Sequence, residues 1–203
     1  MTSEDAKRNQ ILDGAGLAFG QYGYKKTTLA DIVRESGVAR ATVYKYFSTK
    51  EEVFQAVIER EIADILRTVR AAVEEETNTY DRLRAAVFVH SSAIKDKVNV
   101  FRLTMKAFCD VIGRTHTNAE NMATEIIRLY TWILEEGVKA KEISVADVET
   151  TAWSMALAVK GTIMTTVTGQ MQERLTAGME RLVEILWDGL RCREGTASDE
   201  GTN

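Results

Sequence analysis

The chain has 203 residues, 45% of them apolar and 28% charged, with no proline. That length suits one large domain or a small one joined to a larger one. The longest apolar stretch, 152–167, is interrupted by Lys160 and falls short of the roughly 20 residues that cross a bilayer. The formal charge is −4, but it is unevenly spread. The first 50 residues carry eight basic side chains against five acidic ones, a local +3 that leaves −7 on the rest. A basic head on an acidic body attracts a phosphate backbone locally, although an excess of three charges is too small to identify a DNA binder. The N-terminus, Met-Thr-Ser-Glu-Asp, has no basic stretch leading into an apolar one, so no signal peptide is expected. Cys109 and Cys192 are far apart and carry neither metal spacing nor a disulfide framework. A reduced cytoplasm is the simplest setting.

In chain order, the sequence reads as helix after helix. The first is expected over 5–22, with Ile11, Leu12, Ala15, Ala18, Phe19 and Tyr22 on one face, and Gly20 and Gly23 ending it. A second follows at about 28–35. Thr28 can cap it with Asp31 three places on, close to a capping box although Glu or Gln is the usual partner. Leu29, Ile32 and Val33 share a face, and Gly37 supplies the turn. A short third helix at 39–46 turns Val43 inward and projects Arg40, Thr42, Tyr44 and Lys45, with Phe47 pointing back into the core. Two short helices across a tight turn form a helix-turn-helix, whose second helix enters the major groove. Ser48-Thr49 caps a long fourth helix reaching about residue 76, striped by Phe54, Ile58, Ile62, Ile65, Val69 and Val73. Further helices are expected at 80–95, 98–112, 118–140, 145–168 and 171–191, with joins at Lys95–Asn99 and Arg114–Asn118. The segment 194–203 has no bulky apolar residue and reads as a disordered tail.

Over residues 7–58 this pattern resembles the DNA-binding domain of the tetracycline-repressor (TetR) family. The resemblance rests on Thr27-Thr28, Ile32, Gly37-Val38, Thr42-Val43-Tyr44-x-Tyr-Phe47 and Lys50-Glu-Glu-x-Phe54. Ile11-Leu12 through Ala15, Phe19 and Gly23-Tyr24 fit upstream. Val33 and Ser36 stand where the family more often has alanine. The resemblance implies an all-α fold: an N-terminal three-helix helix-turn-helix domain (1–50), a helical effector-binding and dimerisation domain (51–193) and the tail. It also implies operator DNA as a partner. Arg40 would read a base, since a guanidinium can fork onto guanine O6 and N7. Ala41 and Thr42 would meet a thymine methyl or let the backbone approach. Thr27, Thr28, Tyr44, Lys45 and Lys50 would contact phosphates.

The body is harder to read. A helix at 145–168 that is apolar on more than one side, and a last helix striped by Leu175, Met179, Leu182, Leu186 and Leu190 with Val183 and Trp187 beside it, suggest a four-helix dimer interface. Trp153 and Leu157 would join it, and Gly161, Gly178 and Gly189 would allow close approach. Phe88, His90, Phe101, Met105, Phe108, Cys109, Tyr130, Trp132, Trp153 and Met164 are candidates to line a pocket for an apolar or aromatic effector, though a methionine and aromatic set at helical spacing can equally be plain core. His90 and His116 are too far apart to read as a metal site, and no cofactor is implied. No nucleophile elbow, P-loop or HExxH occurs. The expectation is a dimeric, ligand-responsive regulator, most simply a repressor. The alternatives are a helical small-molecule-binding or interaction protein without DNA function and, remotely, an enzyme.

Overall fold

The computed structural model describes residues 3–100, 116–167 and 172–192. The elements are α1 (Ser3–Tyr22), α2 (Leu29–Ser36), α3 (Arg40–Tyr46), α4 (Lys50–Glu75), α5 (Thr79–Val100), α6 (His116–Lys139), α7 (Val148–Val167) and α8 (Gln172–Leu190). Among the described residues no strand occurs, only one isolated antiparallel bridge between Ile143 and Arg191. The expected all-α class is the observed one. Two joins differ. α5 runs through Lys95–Asn99, a polar run with neither glycine nor proline, where each residue weakens a helix by only a few tenths of a kcal/mol. α6 begins at His116, inside the second expected join. Most of the helix expected at 98–112 and the tail at 194–203 lie outside the described residues.

The first three helices close over a small core. Ile11, Leu12, Ala15, Ala18 and Phe19 of α1 are buried, with Ile32 of α2, Val43 of α3 and Phe47 just after it. α2 crosses α1 where α1 has no side chain. A Cβ on Gly14 would lie 2.3 Å from both the Cα and the backbone nitrogen of Ser36. The Ser36 carbonyl accepts from the Gln10 amide at 2.9 Å, which fastens the same crossing. α2 starts on a complete capping box. The Thr28 hydroxyl accepts from the Asp31 backbone N–H, while the Asp31 carboxylate accepts from the Thr28 backbone N–H. It ends at Gly37, whose φ of 64° is the left-handed conformation that lets its N–H reach the Val33 carbonyl.

α4 belongs to both parts of the molecule. The Thr49 hydroxyl caps it, accepting from the Glu52 N–H. Its first turns complete the small core: the Phe54 ring lies 4.9 Å from that of Phe19, edge-on, and 4.4 Å from that of Tyr24. The remaining stripe residues Ile58, Ile62, Ile65, Val69 and Val73 are all buried. Most of them run into the body, where they meet Leu83, Val87 and Ile94 of α5, Ile133 and Leu134 of α6, Met155 and Val159 of α7, and Met179 and Val183 of α8 in one continuous core. The end of α8 is pinned by backbone bonds from Ser144 N–H to the Leu190 carbonyl and from Cys192 N–H to the Glu142 carbonyl.

α7 and α8 each leave an apolar stripe on the outside. On α7 it is Trp153 and Leu157, 54% and 53% exposed, followed by Gly161. On α8 it is Gly178, Leu182, Ile185 and Gly189, with Ile185 55% exposed. A Cβ on Gly161, Gly178 or Gly189 would meet nothing within 4 Å. Among the described residues no helix is long and apolar enough to cross a membrane.

Candidate nucleic-acid interface

α3 presents one face outward. Arg40, Ala41, Tyr44 and Lys45 are exposed, Thr42 is half-buried, and Val43 and Phe47 anchor the opposite face in the core. This division follows from helical spacing: with only seven residues, α3 is held by two buried anchors four apart, Val43 and Phe47, which turns Tyr44 and Lys45 to solvent and leaves Tyr46 half-buried. The Arg40 guanidinium stacks on Tyr44, 5.4 Å from the ring centroid, with Nη2 donating to the Tyr44 hydroxyl at 3.4 Å. Lys45 sits 5.9 Å from the Tyr46 ring, and its ammonium is 3.6 Å from the Glu4 carboxylate in an exposed pair that a phosphate could displace. The Tyr46 hydroxyl donates to the Glu4 carbonyl, which ties α3 to the start of α1.

The residues before α2 have different duties. Thr27 turns its hydroxyl into the protein. It is buried, and its Oγ donates to the Gly23 carbonyl at 2.9 Å and the Ala18 carbonyl at 3.2 Å, closing the α1–α2 turn. Thr28 is exposed, with its hydroxyl engaged in the capping box, donating to Asp31 at 2.7 Å. Those bonds hold the Asp31 carboxyl below the ordinary carboxylate range, with Arg34 adding to the effect. Arg34 itself is taken up by Asp31, Glu35 and the Tyr22 hydroxyl. Lys50 is half-buried, donating to the Tyr24 carbonyl at 3.1 Å and lying 4.7 Å over the Tyr24 ring. An ammonium has three protons, so a phosphate contact by Lys50 would be made from a side chain already fastened at the base of α4.

The body's expected site residues separate. His90 and Tyr130 are buried together with Ser91, which sequence reasoning did not single out. Neither ring nitrogen of His90, nor the Ser91 or Tyr130 hydroxyl, has a hydrogen-bond partner. Burial without a partner pushes the His90 imidazolium down to about 4 and raises the Tyr130 phenol. Phe88 and Trp132 are half-buried, covered by the guanidinium groups of Arg84 and Arg82 at 5.1 and 5.0 Å. Trp153 lies on the outer stripe of α7, 54% exposed, apart from the buried residues of the core. Phe101, Met105, Phe108 and Cys109 lie outside the described residues, as do the side chains of Met164 and Leu175. On α8, Met179 is buried, while Leu186 and Leu190 pack partly against their own core. Leu182 is on the outward stripe with Ile185, which sequence reasoning passed over. A groove of about 310 Å³ lined by Tyr80, Glu184, Trp187 and Asp188 shares none of the expected pocket residues.

A three-helix unit with an exposed, basic recognition helix across a capped turn, followed by five further helices among the described residues, has the arrangement of a helix-turn-helix DNA-binding domain on a helical body. The comparisons with known proteins take this further. Residues 11–57 match the family described as bacterial regulatory proteins, tetR family. Over 153 residues, 73% of this chain and 78% of its counterpart, 27% of positions are identical to the uncharacterised HTH-type transcriptional regulator YhgD of Bacillus subtilis. The fold is shared with a TetR-family transcriptional regulator from Pectobacterium atrosepticum, at a TM-score of 0.79 and 17% identity over 95% of this chain and 99% of that one. It is shared also with the transcriptional regulator FadR from Bacillus subtilis, crystallised in complex with stearoyl-CoA, at a TM-score of 0.67 and 20% identity over 89% and 98% of the two chains. The head therefore matches a TetR-family DNA-binding domain, and the relatives named are transcriptional regulators.

Proposed function

We propose that the chain is a ligand-responsive repressor of the cytoplasm, which binds a palindromic operator as a homodimer and leaves it when a small, largely apolar molecule occupies the body. The observation that carries this reading is the double membership of α4. Its first turns are core residues of the head and its remainder is core of the body. Polar ties reinforce the join: Arg60 of α4 donates to the Asp13 carboxylate of α1 at 2.7 Å, and Lys50 holds the α1–α2 turn. A tilt of α4 imposed from the body is therefore felt at α3. The functional division falls at residues 1–50 for DNA and 51–193 for effector and partner.

The outward stripes of α7 and α8 supply the surface for a second copy. Trp153, Leu157, Leu182 and Ile185 offer the apolar area, and Gly161, Gly178 and Gly189 let backbones approach. Two-fold symmetry then sets the two recognition helices at a spacing that suits successive major grooves, roughly 34 to 36 Å or a multiple. Arg40 reads a base edge. Ala41, Thr42, Tyr44, Lys45 and Lys50 position the helix on the backbone, and Thr28 does so through the helix start it caps. The relative crystallised with stearoyl-CoA supports a small-molecule effector. Tenfold induction requires a ligand that prefers the released state by about 1.4 kcal/mol. The test is fluorescence anisotropy with a labelled duplex from the chain's own upstream region, alongside sedimentation of the free protein. A dimer that binds this duplex tighter than a scrambled one is expected. A stable monomer at micromolar concentration refutes the assembly. Equal affinity for every duplex refutes the regulator reading and leaves a helical ligand-binding protein.

A further inference from the structure

Among the described residues, the body core holds three buried polar side chains without a hydrogen-bond partner. His90 and Ser91 on α5 are 5% and 4% exposed and Tyr130 on α6 is 1% exposed. Both imidazole nitrogens and both hydroxyls are without hydrogen-bond partners. Each such group weakens a fold by about 1 to 3 kcal/mol relative to a satisfied one, and native interiors rarely keep several without a reason.

Helical rise also places the three within about one and a half turns of one another along the bundle. α5 and α6 pack against each other, and they meet at a fixed point: a Cβ on Gly137 would lie 2.5 Å from the Thr79 hydroxyl oxygen. From that point His90 is roughly three turns along α5 and Tyr130 roughly two turns back along α6, which brings their levels within about 6 Å at 1.5 Å per residue. The surrounding residues Val87, Ile94, Ile126 and Ile133 are apolar and buried.

We infer that His90, Ser91 and Tyr130 form the polar end of the effector site, and that they take an apolar molecule ending in an uncharged hydroxyl or carbonyl. This rests on the ligand-responsive reading above and adds the class of ligand to it. The chemistry of the set decides the class. A neutral imidazole offers one donor and one acceptor, and each hydroxyl offers both. None of the three carries a formal charge, and no lysine or arginine is among the buried residues described. A carboxylate, phosphate or ammonium placed there would meet no opposite charge among the buried residues described, and an unpaired buried charge is far costlier than an unpaired neutral group. A hydroxyl can pair with all three, and a carbonyl can accept from two of them, at no such penalty, and the aliphatic neighbours receive the remainder.

The experiment uses the full chain, freed of small molecules by unfolding and refolding. Thermal unfolding is compared for wild type, Tyr130→Phe and Ser91→Ala. If the polar groups await a ligand, both variants melt at or above the wild-type temperature. A fall of more than about 3 °C in both, the loss expected for a hydrogen bond in a chain of this size, shows that the chain satisfies them itself and overturns the inference. Two matched probe pairs are then titrated: 1-decanol against decanoate, and 2-naphthol against 2-naphthoate. The neutral member is expected to bind wild type at least tenfold tighter than its charged partner in one pair or both, with the preference in Tyr130→Phe cut below about threefold. Carboxylates that bind as well as their neutral partners, or no binding by either neutral probe, overturn the class. Binding of the upstream duplex is followed in parallel. A duplex that is bound, and released by a carboxylate, leaves the regulator reading intact while this inference fails. A duplex that is never bound removes the regulator reading whatever the melts show.

Discussion

Replacing Gly14 with alanine tests the head at its tightest point. The added carbon would sit 2.3 Å from the Cα and nitrogen of Ser36 and 2.5 Å from its Cβ. Ordinary carbon contacts lie near 3.5 Å, so α1 and α2 must separate by about 1 Å, and the obstructing atoms are backbone with no rotamer to change. Ser36 cannot yield alone. Its carbonyl holds Gln10, its hydroxyl donates to the Val33 carbonyl, and the same oxygen accepts from Val38 N–H at the turn into α3. Overpacking of this kind costs roughly 1 to 3 kcal/mol, partly offset by the better helix propensity of alanine, about 1 kcal/mol. The net expectation is a loss of up to about 2 kcal/mol in urea unfolding, with operator affinity falling further because the shift is passed to α3. Gly16, on the same helix, is the control. A Cβ there meets nothing within 4 Å, so Gly16→Ala should gain about 0.5 to 1 kcal/mol by propensity alone. If Gly14→Ala is as stable as Gly16→Ala and binds DNA normally, the account of the α1–α2 crossing is wrong.

Three other substitutions probe the remaining parts. Arg40→Ala should weaken operator binding by about 1 to 3 kcal/mol per half-site and relax sequence preference; unchanged anisotropy titrations would rule out base reading by Arg40. Ile185→Glu should leave the melting temperature of the subunit nearly unchanged, since Ile185 is 55% exposed, yet move the sedimentation profile to monomer; Met179→Ala should do the reverse, losing about 2 to 5 kcal/mol of stability through an internal cavity. His90 gives a pH signature. Its folded value of about 4 lies below the unfolded 6.5, so its neutral form stabilises the fold above pH 6.5, and that stability is lost as pH falls toward 4. The full loss is on the order of 3 kcal/mol. Urea midpoints for wild type and His90→Leu should therefore diverge between pH 7 and pH 4, and parallel curves would contradict the burial argument.

The head was readable in the sequence because its signals are local. A capping threonine, an aspartate three residues on, a glycine needing positive φ and two inward apolar residues four apart sit within twenty positions, and each has one structural meaning. Gly14 escaped notice because its role depends on a residue twenty-two positions away, which periodicity does not reveal. The inward bonds of Thr27 were hidden for a similar reason: nothing in the sequence distinguishes a threonine whose hydroxyl closes a turn from one that meets phosphate. In the body, the long-range order of helices was legible, but α5 continued through a polar run that looked like a join. On α8 the apolar residues cover too much of the cylinder for spacing alone to separate the inward set, Met179, Val183 and Leu186, from the outward one, Leu182 and Ile185. The polar set at His90 was half visible, since an isolated histidine is a cue and a serine in an apolar helix is not.

The shared ownership of α4 limits how this protein can be cut and rejoined. A head severed after residue 50 would lose Val53, Phe54 and Val57, all buried, and with Phe54 the ring that fills the space between Phe19 and Tyr24. Burying one such aromatic side chain is worth about 1.5 to 3 kcal/mol, a large share of what so small a unit can hold. Anyone transplanting this reader onto a foreign sensor should therefore place the seam beyond Ile58, and should carry Arg60 with it so that Asp13 keeps its cation. The donor's helix must then continue in register with the stripe at Ile62 and Ile65. An insertion of one residue at that seam would rotate the sensor by about 100° around the helix axis, and both halves could fold while the reading heads faced the wrong way.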